Sequence, residues 1–334
     1  MLPTTVMDFS IILTVIGGAL GIFYLIIAFS LSPKKNISFK GKHVLITGGS
    51  KGIGKEIAIE SIKKGANVSI IARNIIDLKE TCEELNQLSE RLNNGTKAFW
   101  YSADMTADYK TIEEVIRESE EMCGHVDILI NNGGISTQKI FENLPVDAFE
   151  KQIKLNYLSS VYATRAIIDK MKERKSGHIA FVCSAAGQSG IFGYSAYSPS
   201  KFAVRGFAEA LKMELLPFNI GITIVYSPIT KTAGYERESQ EMSEELKLIT
   251  SSFGMFEPSF VANEFVKGIE NGDFSVNIGI NGWILGHATS GCSPETNIIS
   301  AAIQILFNGI FRGILLLYIG HFNRIVASCQ RKKR

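Results

Sequence analysis

Short apolar runs alternate with longer amphipathic segments through most of this chain, beginning near Ser38. Each run has the length of a buried strand, and each intervening segment has the apolar spacing of a helix. Strands separated by such helices run parallel, because a parallel pair needs a long crossover connection. The sequence therefore predicts a doubly wound parallel sheet in the α/β class. The predicted strands are 43–47, 67–72, 98–103, 127–131, 178–183 and 222–226, and the predicted helices are 53–64, 77–92, 111–123, 156–174 and 195–216.

The composition narrows the classes of protein to which the chain can belong. Apolar residues make up 46% of its 334 residues and charged residues 20%, which excludes an intrinsically disordered chain. The 35 basic and 33 acidic residues leave a net charge of +2, so no nucleic-acid partner bound through a broad basic surface is expected. The five cysteines are scattered and form no CxxC pair, so we expect neither a disulfide framework nor a bound metal.

The first apolar segment, residues 9–31, contains no acidic or basic side chain. As a helix its 23 residues rise about 35 Å, enough to cross a hydrocarbon core of about 30 Å. The segment is longer than the core of a signal peptide, although Ala-Phe-Ser at 28–30 leaves cleavage open as an alternative. Asp8 precedes the segment and Lys34, Lys35, Lys40 and Lys42 follow it, so the positive-inside rule places the rest of the chain in the cytosol.

A second apolar region covers residues 298–322 and is interrupted by Arg312 and three glycines. A single spanning helix would carry Arg312 near its middle, at a cost of about 2.5–3.5 kcal/mol. Two shorter pieces, 298–311 and 313–322, therefore predict a re-entrant or interfacial hairpin, with a helical pair packed on the soluble domain or at a dimer interface as the alternative. The predicted divisions are a membrane anchor over 1–37, one domain over 38–292, and apolar helices with a basic tail over 293–334.

A glycine-rich turn follows the first predicted strand and opens the first predicted helix of the domain. Gly48, Gly52 and Gly54 allow a tight turn and let the backbone approach a pyrophosphate without an intervening Cβ. The next helix then offers its free N–H groups to the anion. This arrangement predicts a dinucleotide site in a Rossmann-type domain.

The end of the second predicted strand indicates which dinucleotide is bound. An NAD enzyme usually places an acidic side chain there to bond the ribose hydroxyls, whereas this strand ends at Arg73. The planar guanidinium suits a 2′-phosphate, and Lys51 in the glycine turn could add a second positive charge. The sequence therefore favours NADPH/NADP+ over NAD, with an ordinary solvated Arg73 as the alternative.

A phenol and an ammonium lie four residues apart at Tyr197 and Lys201, which places them on one face of a helix. A free phenol has a pKa near 10, and a neighbouring ammonium favours the phenolate, so we expect Lys201 to lower the pKa of Tyr197. Tyr194 is about two turns from Lys201 and is the weaker candidate. Ser184 ends a predicted strand, at the sheet edge where ligands of open α/β folds bind.

Together these motifs resemble the short-chain dehydrogenase/reductase family across roughly residues 40–280. The resemblance implies an oxidoreductase in which Ser184, Tyr197, Lys201 and the helix residue Asn156 form the catalytic tetrad, with Asn156 holding a water. It implies that Asp104 contacts the adenine ring and that Asn132, in the Asn-Asn-Gly-Gly motif 131–134, contacts the cofactor. The remaining cofactor contacts that it implies are Gly48, Ser50, Lys51, Gly52, Ile53, Gly54, Arg73, Thr230 and Thr232, besides Tyr197 and Lys201.

A narrower resemblance, carried by residues 187–197, 226–234 and 278–282, is to membrane-bound members of the family that reduce long-chain 3-keto sphingoid bases. Within 226–234, Ile229 and Ala233 replace an expected Asp and Pro. The resemblance implies a long-chain keto-lipid substrate and contact with membrane lipid. It also implies a location in the endoplasmic reticulum membrane, with the catalytic domain facing the cytosol. A homodimer is possible but is not predicted by the resemblance. The alternatives are a membrane-bound steroid or retinoid oxidoreductase and an NADPH-binding membrane protein without turnover.

Overall fold

Within residues 9–332, which the computed structural model describes, seven parallel strands form one sheet. The strand order is β3-β2-β1-β4-β5-β6-β7, so the direction of progression reverses between β1 and β4. Ligands of such sheets bind at this reversal, outside the carboxyl ends of the strands. The strands are β1 His43–Thr47, β2 Asn67–Ala72, β3 Ala98–Ser102, β4 Ile128–Asn131, β5 Gly177–Ser184, β6 Ile220–Ser227 and β7 Ser275–Asn277.

Helices cover both faces of the sheet and extend from each end of the domain. A short π-helical turn, Lys154–Leu158, joins α5 to α6. The helices are α1 Phe9–Ser30, α2 Gly52–Lys63, α3 Ile75–Leu92, α4 Tyr109–Cys123, α5 Asp147–Ile153, α6 Ser159–Arg174, α7 Tyr197–Leu215, α8 Ala233–Gln240, α9 Glu244–Thr250, α10 Pro258–Glu270, α11 Gly279–Ala288 and α12 Ile298–Lys332.

The sheet separates two apolar cores, because successive side chains of a strand point to opposite faces. In β1, Val44 and Ile46 contribute to the core under α2 and α10, whereas Leu45 contributes to the core under α6 and α7. All five residues of β1 are buried, as a strand covered on both faces requires. The predicted doubly wound α/β fold is therefore confirmed, and the predicted strands agree with the observed ones to within a few residues.

The predicted C-terminal hairpin is wrong, because α12 continues through Arg312 and the neighbouring glycines as one helix of 35 residues. A glycine in a helix costs about 1 kcal/mol relative to alanine but leaves the backbone hydrogen bonds intact, so it need not end the helix. Arg312 is exposed and its long side chain can keep the charge in water. The helix packs on the domain, where the rings of Trp283 and Phe311 lie 5.3 Å apart.

Two of the described helices are long and apolar enough to cross a membrane, over Leu13–Ser30 and Ile298–Arg331. They meet at one end, since the N–H of Ser32 donates to the carbonyl of Glu295 at 3.1 Å. The apolar side chains of α1 are largely exposed, with Phe29 at 92%. Both helices are therefore candidate membrane segments. Asp8, whose charge enters the positive-inside prediction, and Lys333 and Arg334 of the basic tail lie outside the described residues.

Candidate active site

The glycine turn between β1 and α2 has the geometry that the sequence predicts. Gly48 and Gly52 have φ angles of +65° and +55°. A residue with a Cβ adopts such angles only under strain. A Cβ on Gly54 would lie 2.3 Å from the carbonyl oxygen of Gly48, so residue 54 must also be glycine. The backbone is therefore open to a close ligand, and the first N–H groups of α2 have no partner within the helix.

The end of β4 holds the glycine turn in place. The side-chain amide of Asn132 donates to the carbonyls of Thr47 at 3.0 Å and Gly48 at 2.9 Å, and the hydroxyl of Thr47 accepts from the backbone N–H of Asn132 and Gly133. Both amide hydrogens of Asn132 are thus used within the protein. We call residues 47–54 together with 131–134 the glycine-turn wall.

The other predicted residues of the turn support it from below. The carbonyl of Ser50 accepts a hydrogen bond from the hydroxyl of Thr81 on α3 at 2.9 Å. Ile53 packs against the apolar core beneath α2. These contacts fix the position of the backbone that would face a pyrophosphate.

The predicted 2′-phosphate contacts lie at the carboxyl end of β2. Arg73 is exposed there, directly after the strand. Lys51 is already paired, because its ammonium lies 2.7 Å from a carboxylate oxygen of Asp77. Asp104, after β3, accepts hydrogen bonds from the backbone and hydroxyl of Thr106 at 2.9 and 2.8 Å. Arg73 is therefore the stronger of the two cations for a phosphate.

Tyr197, Ser184 and Lys201 meet at the carboxyl ends of β4 and β5. Tyr197 begins α7 and its side chain shares a hydrogen bond with that of Ser184 at the end of β5. The ammonium of Lys201 lies 5.8 Å from the centre of the Tyr197 ring and donates to the carbonyl of Val182 at 3.1 Å. A Cβ on Gly134 would lie 3.4 Å from this ammonium, so the glycine-turn wall directly adjoins the three groups.

The predicted lowering of the Tyr197 pKa does not occur in this arrangement. Burial raises the pKa of Tyr197, and the hydrogen bond with Ser184 opposes this only in part. Burial also lowers the pKa of Lys201, whose ammonium is held at the Val182 carbonyl. The phenol is therefore protonated at neutral pH, which is the form that can donate a proton to a substrate oxygen.

Asn156 lies in the π-helical turn and is buried. Its oxygen accepts from the N–H of Ile135 at 2.8 Å, while its nitrogen donates to the carbonyl of Ile135 and the hydroxyl of Ser200. The side chain thus ties the segment after β4 to the helix that carries Tyr197 and Lys201. Turns of this kind occur often at functional sites. Its water-holding role stays a prediction.

The segment after β6 lies against the glycine turn. Thr232 caps α8 by accepting from the N–H of Tyr235, and its methyl carbon lies 3.2 Å from the position of a Cβ on Gly52. Thr230 is buried and donates to the carbonyl of Pro228 at 2.9 Å. Backbone hydrogen bonds with Phe256 hold this segment on both sides of Thr230. The replacements at 229 and 233 therefore leave a segment that is well anchored next to the turn.

Next to the glycine-turn wall, residues 135–140 together with α8 and α9 form a second wall, which we call the α8–α9 wall. Met242 and Leu246 pack there against Tyr194, whose ring lies edge-on to Tyr197 at 5.5 Å. The wall also holds Glu238, whose carboxylate acts electrostatically on Tyr197 and Lys201. Burial raises the pKa of Glu238 to about 7. Nothing in the sequence points to Glu238, because its hydrogen-bond partner Gln138 lies far from it along the chain.

Comparisons with known proteins agree with this geometry. The profile of the family described as short chain dehydrogenase matches residues 42–243. The 3-ketodihydrosphingosine reductase of Bos taurus is 43% identical over 303 residues, covering 91% of this chain and 90% of the relative. The 3-dehydrosphinganine reductase of Danio rerio is 43% identical over 309 residues, covering 92% of each.

A solved structure shows the same fold. The alcohol dehydrogenase from the archaeon Thermococcus sibiricus, complexed with 5-hydroxy-NADP, superposes with a TM-score of 0.57 at 23% sequence identity. The match covers 66% of this chain and 87% of that one. At this identity the likeness concerns the fold alone.

Proposed function

Because the chain belongs to the short-chain dehydrogenase family, we propose that it reduces 3-ketodihydrosphingosine to dihydrosphingosine with NADPH, as a step of sphingolipid synthesis. The observation that carries this proposal is the meeting of Ser184, Tyr197 and Lys201 beside the glycine-turn wall, in a chain whose curated relatives are named for this reaction. The fold, the family and the oxidoreductase class are shared with those relatives.

The residues present fit a nicotinamide dinucleotide phosphate. Gly48, Gly52 and Gly54 leave a cradle that a Cβ would fill, and the N-terminus of α2 favours a pyrophosphate. Arg73 would bind the 2′-phosphate, and Lys201 would bind the ribose hydroxyls. Asp104, Thr230 and Thr232 stand as the predicted contacts to the adenine ring and the carboxamide. When bound, NADPH supplies the hydride that adds to the carbonyl carbon.

The chain's own groups supply the proton. The Ser184 hydroxyl would hydrogen-bond the ketone oxygen, and the Tyr197 hydroxyl would give its proton to the same oxygen as the hydride adds, leaving a secondary alcohol. An alkoxide is a stronger base than a phenolate, so this transfer is favourable even with the pKa of Tyr197 raised. The ammonium of Lys201 would stabilise the phenolate until a proton from solvent restores the phenol, with Asn156 as the proposed relay.

The apolar helices match the physical state of this substrate. Each CH₂ of an alkyl chain favours lipid over water by about 0.8 kcal/mol, so a long-chain keto base resides in the membrane. We infer that α1 crosses the endoplasmic reticulum membrane with the domain on the cytosolic side, as the lysines after α1 favour. Because α12 packs against α9, it joins this membrane to the α8–α9 wall.

The test of this proposal is turnover by the full chain in detergent. The loss of the absorbance of reduced nicotinamide measures the oxidation of NADPH. With 3-ketodihydrosphingosine we expect this oxidation to be much faster than with steroid ketones or retinal. A faster reaction with a steroid or retinoid would reassign the substrate. Binding of NADPH without oxidation in the presence of any ketone would leave an NADPH-binding protein and remove the enzyme proposal.

A further inference from the structure

Glu238 is an acidic side chain on the α8–α9 wall close to the proposed proton donor. It lies six residues after Thr232, the residue that touches the glycine turn, on the helix that Thr232 caps. Its charge acts on Tyr194 and Tyr197 and on the ammonium of Lys201. The mechanism proposed above makes no use of this carboxylate.

The groups that hydrogen-bond Glu238 are neutral, while the charges of Arg237 and Lys201 act on its carboxylate without a direct contact. The amide of Gln138 donates to one carboxylate oxygen at 3.2 Å, and the backbone of Ser136 adds a further hydrogen bond. Neither group carries a charge. Tyr235, three residues before Glu238 on the same helix, packs against the cluster formed by Tyr194, Met242 and Leu246. A carboxylate held by neutral donors in such a setting is a favourable place for a cation.

The proposed substrate brings such a cation to this place. In this substrate, the carbon next to the ketone bears a primary amine. The amine is protonated at neutral pH and gives the substrate its positive charge. When the ketone oxygen lies between Ser184 and Tyr197, the ammonium is attached one carbon from the reacting centre. The ammonium of Lys201 repels the ammonium of the substrate. A negative group near the phenol of Tyr197 would offset this repulsion and so favour binding of the substrate.

We propose that Glu238 binds the ammonium group of the keto sphingoid base and makes the site selective for amino ketones over ketones that lack the amine. This inference rests on the proposed function and deepens it, because it states which part of the substrate is recognised. Charge-assisted hydrogen bonds of this type are short and about twice as strong as neutral ones. The pair would also orient the carbonyl toward Tyr197.

A purely structural role for Glu238 is the competing explanation, since its contact with Gln138 joins residues 135–140 to α8. A second link between the same two segments offers a matched control. The ammonium of Lys139 lies 3.0 Å from a carboxylate oxygen of Glu241, and this pair is at the surface. Glu241→Gln makes the same carboxylate-to-amide change at the end of the same helix, at an exposed position.

The experiment measures kcat/KM for 3-ketodihydrosphingosine and for the same 1-hydroxy-3-ketone without the amine. We expect the wild-type chain to prefer the amine by about 10- to 100-fold. In Glu238→Gln this preference should fall toward one, mainly through KM, whereas Glu241→Gln should keep it. NADPH binding and thermal unfolding show whether each variant is folded.

The outcomes separate this inference from the proposed function. If Glu238→Gln slows both ketones by the same factor, or keeps the wild-type preference, Glu238 does not bind the ammonium while the reductase proposal stands. If the wild-type chain turns over the two ketones equally, the amine is not recognised and the inference is wrong. If it turns over neither, the proposed function fails and this inference fails with it.

Discussion

The glycine-turn wall of the cleft is built mainly from backbone, whereas the α8–α9 wall is built from side chains. On the first wall, three glycines and the amide of Asn132 fix the course of the chain, and few other residues could adopt it. On the second wall, the contacts are made by Glu238 and by the apolar side chains around Tyr194. Other side chains could take their places without changing the fold. Backbone geometry suits a cofactor shared by a family, and side chains suit a substrate particular to one member.

The largest effect is expected where the two walls meet, at Tyr197. Replacing Tyr197 by Phe removes the proton donor and should lower kcat by about 10²- to 10⁴-fold. NADPH binding, measured by fluorescence, should change little, because the hydroxyl adds only one of many contacts. Tyr194→Phe should have a much smaller effect on kcat. Equal losses in the two variants would show that Tyr197 is not the donor.

The substitution Gly54→Ala tests whether the backbone course of the glycine-turn wall is needed for NADPH binding. In Gly54→Ala the added Cβ would lie 2.3 Å from the Gly48 carbonyl oxygen and 2.4 Å from the Asn132 amide, so the turn must shift. We expect NADPH to bind about 10- to 100-fold more weakly, as displacement of a binding loop by about 1 Å allows. Gly190→Ala is the matched control, since its Cβ would meet open space. Unchanged NADPH affinity in Gly54→Ala would contradict this account of the wall.

The choice of dinucleotide is expected to depend on Arg73 more than on Lys51. Arg73→Ala should raise KM for NADPH by about tenfold or more and leave KM for NADH nearly unchanged, because only NADPH carries the 2′-phosphate. Lys51→Ala should have a smaller effect, since its ammonium is already paired with Asp77. Steady-state kinetics of the two variants with NADPH and with NADH measures these KM values. The reverse ranking of the two variants would place the phosphate elsewhere.

The smallest effect concerns the α8–α9 wall and is a dependence of stability on pH. Burial raises the pKa of Glu238 to about 7 from an ordinary 4.5, against the opposing effects of Ser136, Arg237 and Lys201. Between pH 4.5 and 7 the folded chain therefore keeps a proton that the unfolded chain has released, so this group makes stability fall as pH rises through that window. Its contribution is on the order of 1–2 kcal/mol after solvent screening.

Thermal unfolding of the wild-type chain and of Glu238→Gln across this pH range measures that contribution. The difference in stability between the two should grow in favour of the variant as pH rises to 7. A constant difference would mean that Glu238 titrates at its ordinary pKa and is not held in an apolar setting.

The glycine-turn wall could be predicted from sequence because its signals are local. Gly48, Gly52 and Gly54 follow an apolar strand within eight residues, and backbone conformation is what selects glycine. Tyr197 and Lys201 are likewise one helical turn apart, so their proximity needs no knowledge of the fold. The family and its narrower resemblance to 3-ketodihydrosphingosine reductase are both confirmed.

The α8–α9 wall could not be predicted, since its contacts join distant parts of the chain. Gln138 and Glu238 are 100 residues apart, and nothing in either segment indicates the other. The pKa of Tyr197 was expected to fall because sequence shows a neighbouring lysine but not the burial of the phenol. The continuity of α12 was missed for a different reason: the glycines weaken a helix without ending it, and Arg312 is costly in a membrane but favourable in a helix.

The most direct measurement of the central claim is the fate of a labelled hydride. The full chain in detergent is given 3-ketodihydrosphingosine and NADPH deuterated at C4 of the nicotinamide, and the product is examined by mass spectrometry. Our account predicts dihydrosphingosine carrying deuterium on C3 from the wild-type chain and almost none from Tyr197→Phe. Unlabelled product, or labelled product formed as fast by Tyr197→Phe, would contradict it.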